Sequence, residues 1–253
     1  MKKSHLILPA AGKGSRLKSD QPKLFTELQN DHSLFDLILQ QATDQFDSLI
    51  LILSPEGAHY YQNNVKPKEM DVQIVIQLNP TGMFDAIQLA LEALSPSTDA
   101  RIILQWGDQP FVNSQLYRQL LHDLDQKSCS IPLIWEKNPY VQFLPANGSL
   151  KIRESREGDL CDPRGFKDMG IFAFRANELR KEMNSYAKQD TKVGEKTKER
   201  SFLQLLPRFI THNDIHWRLD QPSYMGVGVN TPDELEQAQR LYDQLQTFQD
   251  FFS

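Results

Sequence analysis

Cysteine is scarce in this sequence: the 253 residues include only Cys129 and Cys161, which lie far apart and form no CxxC pair. This argues against a disulfide scaffold and against a cysteine-type zinc site. Long hydrophobic runs are also lacking, since stretches such as residues 49–53 fall far short of the roughly 20 residues of a membrane-spanning helix. The amino terminus carries no apolar segment of signal-peptide length. We therefore expect a soluble, cytoplasmic protein that does not bind a membrane.

Excess positive charge is lacking as well. The formal net charge is −5, and no run of lysine and arginine offers a basic stripe to a nucleic-acid backbone. No DxD motif follows an apolar run, which disfavours a metal-dependent glycosyltransferase. Hydrophobic residues make up 40% of the chain, enough for a sizeable core, so disorder is excluded. Small-molecule chemistry is therefore the leading class of function.

Short apolar runs alternate with amphipathic stretches through the first half of the chain. The runs predict strands at residues 6–8, 49–53, 72–76, 102–104, 131–134, 171–174 and 225–229, and apolar residues at helical spacing predict helices at 34–46, 84–94, 114–124 and 231–248. This alternation predicts an α/β fold with a mainly parallel, mixed sheet between two helical layers. We expect one domain over residues 1–253, with an inserted lobe at 136–170 and a C-terminal helix within 231–253.

A glycine-rich loop follows the first predicted strand, and its small residues let backbone N–H groups close around an anion. The loop matches neither the Walker A motif nor the GxGxxG motif. Arg16 and Lys23 follow it, and with the loop lysine they are the nearest cations able to neutralise the about four negative charges of a nucleoside triphosphate. The candidate nucleotide-binding residues of the loop are Ala10, Ala11, Gly12, Lys13, Gly14 and Ser15.

Two further polar residues follow apolar runs. Asp108 lies just past the predicted strand at 102–104, where a side chain faces the ligand crevice of an open α/β sheet, although a turn-forming or capping aspartate is the alternative. Asn230 precedes the last predicted helix. Because Thr231 already supplies the N-cap, the Asn230 side chain is available for another role.

The segment LPAAGKGSRLKSDQPKLFTEL resembles the amino-terminal signature of the nucleotidyltransferases that join a nucleotide to a phosphorylated sugar or alcohol. The pattern is most similar to the pyrophosphorylase domain of the N-acetylglucosamine-1-phosphate uridyltransferases, and the resemblance continues to about residue 241. It implies a Rossmann-like, three-layer nucleotidyltransferase fold. It also implies catalytic roles for Arg16 and Lys23 on the phosphates, and makes Asp108 and Asn230 the protein ligands of Mg²⁺.

Two weaker parts of the resemblance concern substrate choice. Gln77 and Gly82 correspond to residues that lie against the nucleobase, but Met83 stands where the family has a small polar residue. Glu154 and Asp168 correspond to a glutamate and an asparagine that hold sugar hydroxyls, so the lobe at 136–170 becomes an acceptor-binding lobe. The aspartate at position 168 indicates a different sugar or a phosphorylated alcohol; two exposed acids beside strand ends are the alternative interpretation.

The resemblance implies a magnesium-dependent pyrophosphorylase that transfers a nucleoside monophosphate from a pyrimidine triphosphate, UTP slightly ahead of CTP, to a sugar 1-phosphate. One alternative is a cytidylyltransferase for a phosphorylated polyol or choline-like alcohol, and another is a catalytically silent nucleotide-binding regulatory module. The sequence leaves the oligomeric state open, a homo-oligomer included. The almost wholly polar residues 188–200 indicate a solvated loop, with a substrate lid as the alternative.

Overall fold

The computed structural model describes residues 2–12, 14–29, 31–66, 69–79, 81–94, 99–146, 148–188, 194, 196, 199–210, 214–219 and 221–246. Lys13 lies outside these residues, as do most of the stretch 188–200 and the last seven residues of the chain. The structure therefore does not test the predicted role of Lys13, the lid alternative or the predicted end of the last helix.

A ten-stranded sheet lies at the centre of the described residues. Across the sheet the order is β5-β4-β1-β6-β11-β7-β10-β8-β9, with β12 beside β7, and a separate pair is formed by β2 and β3. The strands are β1 (Ser4–Pro9), β2 (Glu27–Gln29), β3 (His32–Ser33), β4 (Ser48–Leu53), β5 (Val72–Ile76), β6 (Arg101–Gln105), β7 (Cys129–Lys137), β8 (Val141–Ala146), β9 (Ser149–Glu154), β10 (Arg164–Asp168), β11 (Ile171–Arg175) and β12 (Ile215–Arg218).

The strands β5, β4, β1 and β6 pair in parallel and form one half of the sheet. Their side chains alternate between two buried layers. Ile7 packs in a core cluster with α3 (Met83–Ala93) and α5 (Ala176–Lys188). Leu6 and Leu8 pack in a cluster with α1 (Leu34–Ala42) and α4 (Ser114–Asp123). Helices therefore cover both faces, which explains the buried apolar runs of β1, β4 and β6, whereas the edge strand β5 is partly exposed. The predicted α/β class and three-layer arrangement are confirmed. The helices are α1 (Leu34–Ala42), α2 (Pro55–Asn64), α3 (Met83–Ala93), α4 (Ser114–Asp123), α5 (Ala176–Lys188), α6 (Pro207–Ile210) and α7 (Pro232–Gln246).

The other half of the sheet is mainly antiparallel. β11 pairs antiparallel with β6 and β7, and β10, β8 and β9 continue from β7 as antiparallel neighbours. Only β12 pairs parallel there, along β7. The segment 136–170 is therefore continuous with the central sheet rather than packed on it as a separate body. Tyr140 in this segment and Trp135 just before it are 58% and 60% exposed, whereas Phe143 is buried.

Capping residues define two predicted helix starts. Ser33 and Asp36 form a capping box at the start of α1. At the start of α7, Thr231 Oγ1 accepts a hydrogen bond from the Glu234 N–H, and Glu234 Oε2 accepts from the N–H groups of Thr231 and Asn230. Each cap satisfies backbone donors that the first helical turn leaves unpaired. None of the helices in the described part of the chain is both long and apolar enough to cross a bilayer.

The strand predicted at 225–229 is wrong. Residues Ser223–Gly226 form a short 3-10 turn, and the chain then runs extended without a strand partner among the described residues. Tertiary contacts hold the segment in this conformation. Gly226 lies so close to Ile134 that a Cβ there would stand 2.5 Å from Ile134 Cδ1. The Val229 N–H donates to the Asp108 carbonyl, which belongs to a loop. The sequence analysis also missed α2, although Ser54 and Pro55 form a typical helix start.

Candidate functional site

The residues predicted for the site converge at one edge of the sheet. The segments that follow the parallel strands β1, β5 and β6 meet at their carboxyl edge, and β11 begins at the same edge because it runs antiparallel to β6. A cleft opens there, made of two adjoining cavities of about 650 and 370 Å³. Every predicted site residue that the structure describes lines one of these cavities, with the exception of Glu154.

The loop after β1 borders both cavities. Gly14 has φ +59°, in the left-handed region, and a Cβ at this position would stand 2.9 Å from Lys23 Cβ. Glycine is therefore required twice over, by the backbone conformation and by the approach of Lys23. The loop continues into a 3-10 turn at Ser15–Leu17, which presents Arg16 to the cleft. The larger cavity is lined from this loop by Ala10, Gly12, Gly14 and Ser15, and the smaller by Ala11 and Gly12.

Four charged or polar side chains from three segments meet in the larger cavity. Lys23 Nζ donates to Asp108 Oδ2 at 2.6 Å and to Asn230 Oδ1 at 2.7 Å. Arg16 Nη2 donates to the same Asn230 oxygen at 3.2 Å. The side chains of Lys23 and Asp108 are only 20% and 19% exposed, so this pair is partly shielded from water. The predicted phosphate-binding cations and the predicted metal ligands thus form one cluster.

The oxygen atoms of this cluster suit a hard divalent cation. Asp108 Oδ1 is buried and has no hydrogen-bond partner in the described part of the chain, while Asp108 Oδ2 and Asn230 Oδ1 face a common point, where the ammonium of Lys23 lies. No group of three or more His, Cys, Asp or Glu residues assembles among the described residues. Mg²⁺ fits a site of this kind, because it takes one or two protein oxygens and completes its octahedron with phosphate oxygens and waters.

Gln77 and Gly82 lie together in the smaller cavity. Gln77 is 4% exposed, and its Nε2 lies 3.4 Å from the carbonyl oxygen of Gly82. Gly82 starts α3 with φ 113° and ψ 176°, a conformation open essentially to glycine alone. Met83 lines both cavities next to them. The three residues predicted to determine the base therefore share one wall of the cleft.

Asp168 lines the smaller cavity at the end of β10. Burial raises the pKa of its carboxyl group above the usual range, and the hydrogen bond that its Oδ1 accepts from the Gly170 N–H at 2.8 Å offsets only part of that effect. The carboxylate is therefore poorly solvated when ionised. Because Asp168 lines the cavity, it could accept a hydrogen bond from a donor on a bound molecule.

Glu154 does not line the cleft, and both its carboxylate oxygens accept hydrogen bonds from protein groups. Ser201 Oγ and Gln204 Nε2 donate to Oε1 at 2.8 and 3.0 Å, and Arg156 donates to Oε2 through Nε and Nη2 at 3.3 and 3.2 Å. Glu154 is 2% exposed, whereas Arg156 lines both cavities. The charged group that the cleft presents at this point is the guanidinium.

The sequence analysis missed several residues of the cleft wall, including Arg156. Trp106 and Tyr140 line both cavities, and Trp106 packs against the rings of Phe172 and Phe202 with centroid distances of 5.2 and 6.0 Å. These contacts explain the large residue beside the glycine that precedes Asp108. Arg156 lies two residues after the predicted site residue Glu154, a spacing close enough to have suggested an ion pair between them. Nothing in the sequence around Tyr140 indicates its place in the cleft.

A family model described as the MobA-like NTP transferase domain matches residues 6–169. Curated relatives include the bifunctional protein GlmU of Buchnera aphidicola, 27% identical over 192 residues that make up 74% of this chain and 40% of that protein. GlmU of Saccharophagus degradans is 24% identical over 246 residues, which are 94% of this chain and 51% of that protein. The chain thus spans about half or less of the length of these relatives.

Solved structures with the same fold include two nucleotidyltransferases. A protein assigned as a glucose-1-phosphate thymidylyltransferase from Bacillus anthracis superposes with a TM-score of 0.72 at 15% identity, covering 94% of each chain. A 4-diphosphocytidyl-2C-methyl-D-erythritol synthase from Anaerococcus prevotii superposes with a TM-score of 0.68 at 14% identity, covering 96% of this chain and 99% of the other. At these identities the likeness establishes the fold alone.

Proposed function

Because the chain belongs to the family of MobA-like NTP transferase domains, we propose that it transfers a nucleoside monophosphate from a pyrimidine nucleoside triphosphate to a sugar 1-phosphate, with release of pyrophosphate. One observation carries this proposal. Arg16, Lys23, Asp108 and Asn230, which come from three separate segments, share one hydrogen-bonded cluster beside a loop rich in small residues. Cations and oxygen ligands in one cleft are what a triphosphate and its metal ion require.

The reaction needs no covalent bond to the enzyme. A phosphate oxygen of the acceptor attacks the α-phosphorus of the triphosphate, the new P–O bond forms as the bond to the β-phosphate bridging oxygen breaks, and pyrophosphate leaves with that electron pair. Arg16 and Lys23 neutralise charge on the phosphates, and the amides of the loop after β1 orient them. Asp108 and Asn230 would hold Mg²⁺, which supplies further neutralisation of the phosphate charge.

The ammonium of Lys23 must serve two partners in turn. In the protein alone it donates hydrogen bonds to Asp108 and Asn230. Without it, the carboxylate of Asp108 would lie in a partly buried cavity with no compensating positive charge. A triphosphate offers this ammonium a larger negative charge than the single carboxylate of Asp108 does. Movement of Lys23 onto the phosphates then leaves Asp108 and Asn230 available for the cation that accompanies the nucleotide.

The smaller cavity supplies the base and acceptor contacts of this proposal. Ala11, Gln77 and Gly82 line this cavity, with Ala10 beside them on the larger one, and together they form the slot that we assign to a pyrimidine, because the Gln77 amide can serve uracil or cytosine. Asp168 accepts from an acceptor hydroxyl. Glu154, predicted from its sequence position to bind the acceptor, would act through Arg156, which it fixes against the cleft.

A cytidylyltransferase for a phosphorylated polyol or choline-like alcohol is the second candidate. Met83 and Asp168 favour it, because each replaces the residue that the sugar-specific pattern has at its position. The two candidates share the nucleotide half of the cleft and differ in the acceptor and in the base.

Pyrophosphate release with each nucleoside triphosphate, Mg²⁺ and a panel of phosphorylated sugars and alcohols tests the proposal. Release that requires a pyrimidine triphosphate and a sugar 1-phosphate together is the expected result, and release with a phosphorylated alcohol instead selects the second candidate. Tight nucleotide binding without release for any acceptor would instead support a silent regulatory module.

A further inference from the structure

One side chain lies at the junction of the segments that carry Asp108, Asp168 and Asn230. Gln109 follows Asp108, and its side chain lies between Gly170 and Gly228. A Cβ at Gly170 would stand 2.6 Å from Gln109 Cγ, and a Cβ at Gly228 would stand 2.7 Å from Gln109 Nε2. Both distances are shorter than carbon contacts allow, so these two glycines make the room that Gln109 occupies.

Hydrogen bonds fix the backbone around Gln109. Gln105 Nε2 donates to the Gln109 carbonyl at 2.7 Å, and Tyr117 Oη donates to Gln105 Oε1 at 2.6 Å. Gln105 and Tyr117 are fully buried. The backbone at Gln109 is therefore held by hydrogen bonds inside the core, and its side chain projects from a rigid part of the chain.

The neighbouring segments are joined to the same loop through their backbones. The Trp106 N–H donates to the Gly170 carbonyl at 2.8 Å, and the Val229 N–H donates to the Asp108 carbonyl at 2.9 Å. The first bond involves Gly170 itself and the second lies next to Gly228, the two glycines that contact Gln109. The Gln109 side chain and these two backbone bonds therefore join both segments to the loop that carries Asp108.

The amide of Gln109 is not what holds it there. The residue is 7% exposed, and its Oε1 is buried without a hydrogen-bond partner in the described part of the chain. An unpaired buried amide oxygen is unfavourable, whereas an apolar side chain of the same length carries no such penalty. The Gln109 side chain is therefore held by van der Waals packing.

We propose that Gln109 is a positioning residue, which rests on the proposed function: its volume, matched to Gly170 and Gly228, sets the spacing between the metal ligands Asp108 and Asn230 and the acceptor residue Asp168. The role is one of packing. It touches neither the nucleotide nor the acceptor, and it acts through the three residues that do.

A double-mutant cycle between positions 109 and 228 tests this role. Gly228 is the better partner because, unlike Gly170 with φ +68°, it has no left-handed backbone, so alanine there meets only the Gln109 side chain at close range. We expect Gln109→Ala to lower kcat/KM about tenfold or more and Gly228→Ala to lower it by less, since alanine at 228 displaces only the amide end of the Gln109 side chain. The double variant should match Gln109→Ala alone, whereas independent sites would multiply their losses.

Two further variants separate spacing from folding. Gln109→Met keeps the volume and should keep turnover within about threefold of the wild type, with an equal or higher thermal midpoint because the unpaired amide oxygen is gone. Gly57→Ala, in α2 and at ordinary contact distance from its neighbours, is the matched glycine control and should leave turnover unchanged. In Gln109→Ala the Mg²⁺ concentration for half-maximal rate and the acceptor KM should rise together, while the choice among the four triphosphates stays the same.

The outcomes distinguish this role from the proposed function. The same cycle measured on thermal midpoints needs no turnover, so a wild type that turns over no acceptor contradicts the proposed function while the contact itself is still measured. Additive losses in the cycle, or a folded Gln109→Met that is as impaired as Gln109→Ala, would overturn the positioning role.

Discussion

The two halves of the sheet differ in how far apart in the sequence their interacting polar residues lie. In the parallel half, the loop after β1 places Arg16 and Lys23 within one short stretch of chain, and both reach the cleft. In the antiparallel half, Glu154 finds its partners Ser201 and Gln204 from 47 and 50 residues away, and they take one of its oxygens out of reach of a ligand. A motif read along the chain therefore predicts the first half of the cleft better than the second.

The difference follows from topology. Parallel strands deliver their loops to one edge whatever the intervening helices do, so a polar residue just past such a strand reaches the crevice. Antiparallel strands deliver alternate ends to opposite edges, and their side chains alternate between the two faces of the sheet. A residue there reaches the cleft only if register and a distant partner both permit it. The expected effects of substitution differ accordingly.

The largest effect is expected at Asp108. Asp108→Ala should lower turnover by about a thousandfold or more, because it removes the only carboxylate of the proposed cation site, whereas Asn230→Ala removes a neutral ligand and should be milder. Steady-state rates over a range of Mg²⁺ concentrations measure both. Asp20→Ala, at an exposed residue outside the cleft, is the control. Activity that survives removal of divalent cations would contradict the assignment.

Lys23→Ala should lower turnover by about a hundredfold or more, since a cation that meets the developing phosphate charge contributes about 3 kcal/mol to transition-state stabilisation. The fold should survive with a lower thermal midpoint, because Asp108 loses its cationic partner but is still partly exposed to water. Circular dichroism and the rate of pyrophosphate release check the two statements, with the exposed Lys151→Ala as the matched control. An unchanged rate in a folded Lys23→Ala protein would refute the role of the loop after β1.

Gln77→Ala should change the choice of base more than the rate. One hydrogen bond to the base contributes about 0.5 to 1.5 kcal/mol, so discrimination between UTP and CTP should fall by no more than about tenfold. A four-nucleotide competition assay measures it, and Gln73→Ala, exposed on β5, is the control. A wild-type preference for ATP or GTP would contradict the pyrimidine slot.

The smallest effect is expected at Asp168, and it concerns stability. Burial raises the pKa of this carboxyl group in the folded protein, so ionisation opposes folding, and stability is lost as pH rises through the raised pKa. Asp168→Asn cannot ionise and keeps an acceptor for the Gly170 N–H. Its thermal midpoint should exceed that of the wild type at pH 7 to 8, and the difference should vanish towards pH 4. A lower midpoint at neutral pH would show that the charge is stabilised by its surroundings.

Sequence reasoning predicted the parallel half of the fold closely because β1, β4 and β6 carry runs of buried apolar residues. It failed at residues 225–229, where an apolar run serves a turn whose glycine packs on Ile134. It missed α5, although Leu179, Met183 and Tyr186 are buried at helical spacing. For the cleft, it predicted lining residues that follow parallel strands, whereas the Glu154 hydrogen bonds to Arg156 and the packing of Gln109 depend on tertiary contacts that have no local signature.

The central claim is that a phosphate oxygen of the acceptor attacks the α-phosphorus of the bound nucleoside triphosphate. Labelling the acceptor's phosphate oxygens with ¹⁸O, using the acceptor that supports the fastest pyrophosphate release, tests it most directly. The account predicts that the label remains in the nucleotide–acceptor product, with one labelled oxygen in the new P–O–P bridge, and that the released pyrophosphate is unlabelled. Label in the pyrophosphate, or release that does not depend on any acceptor, would contradict it.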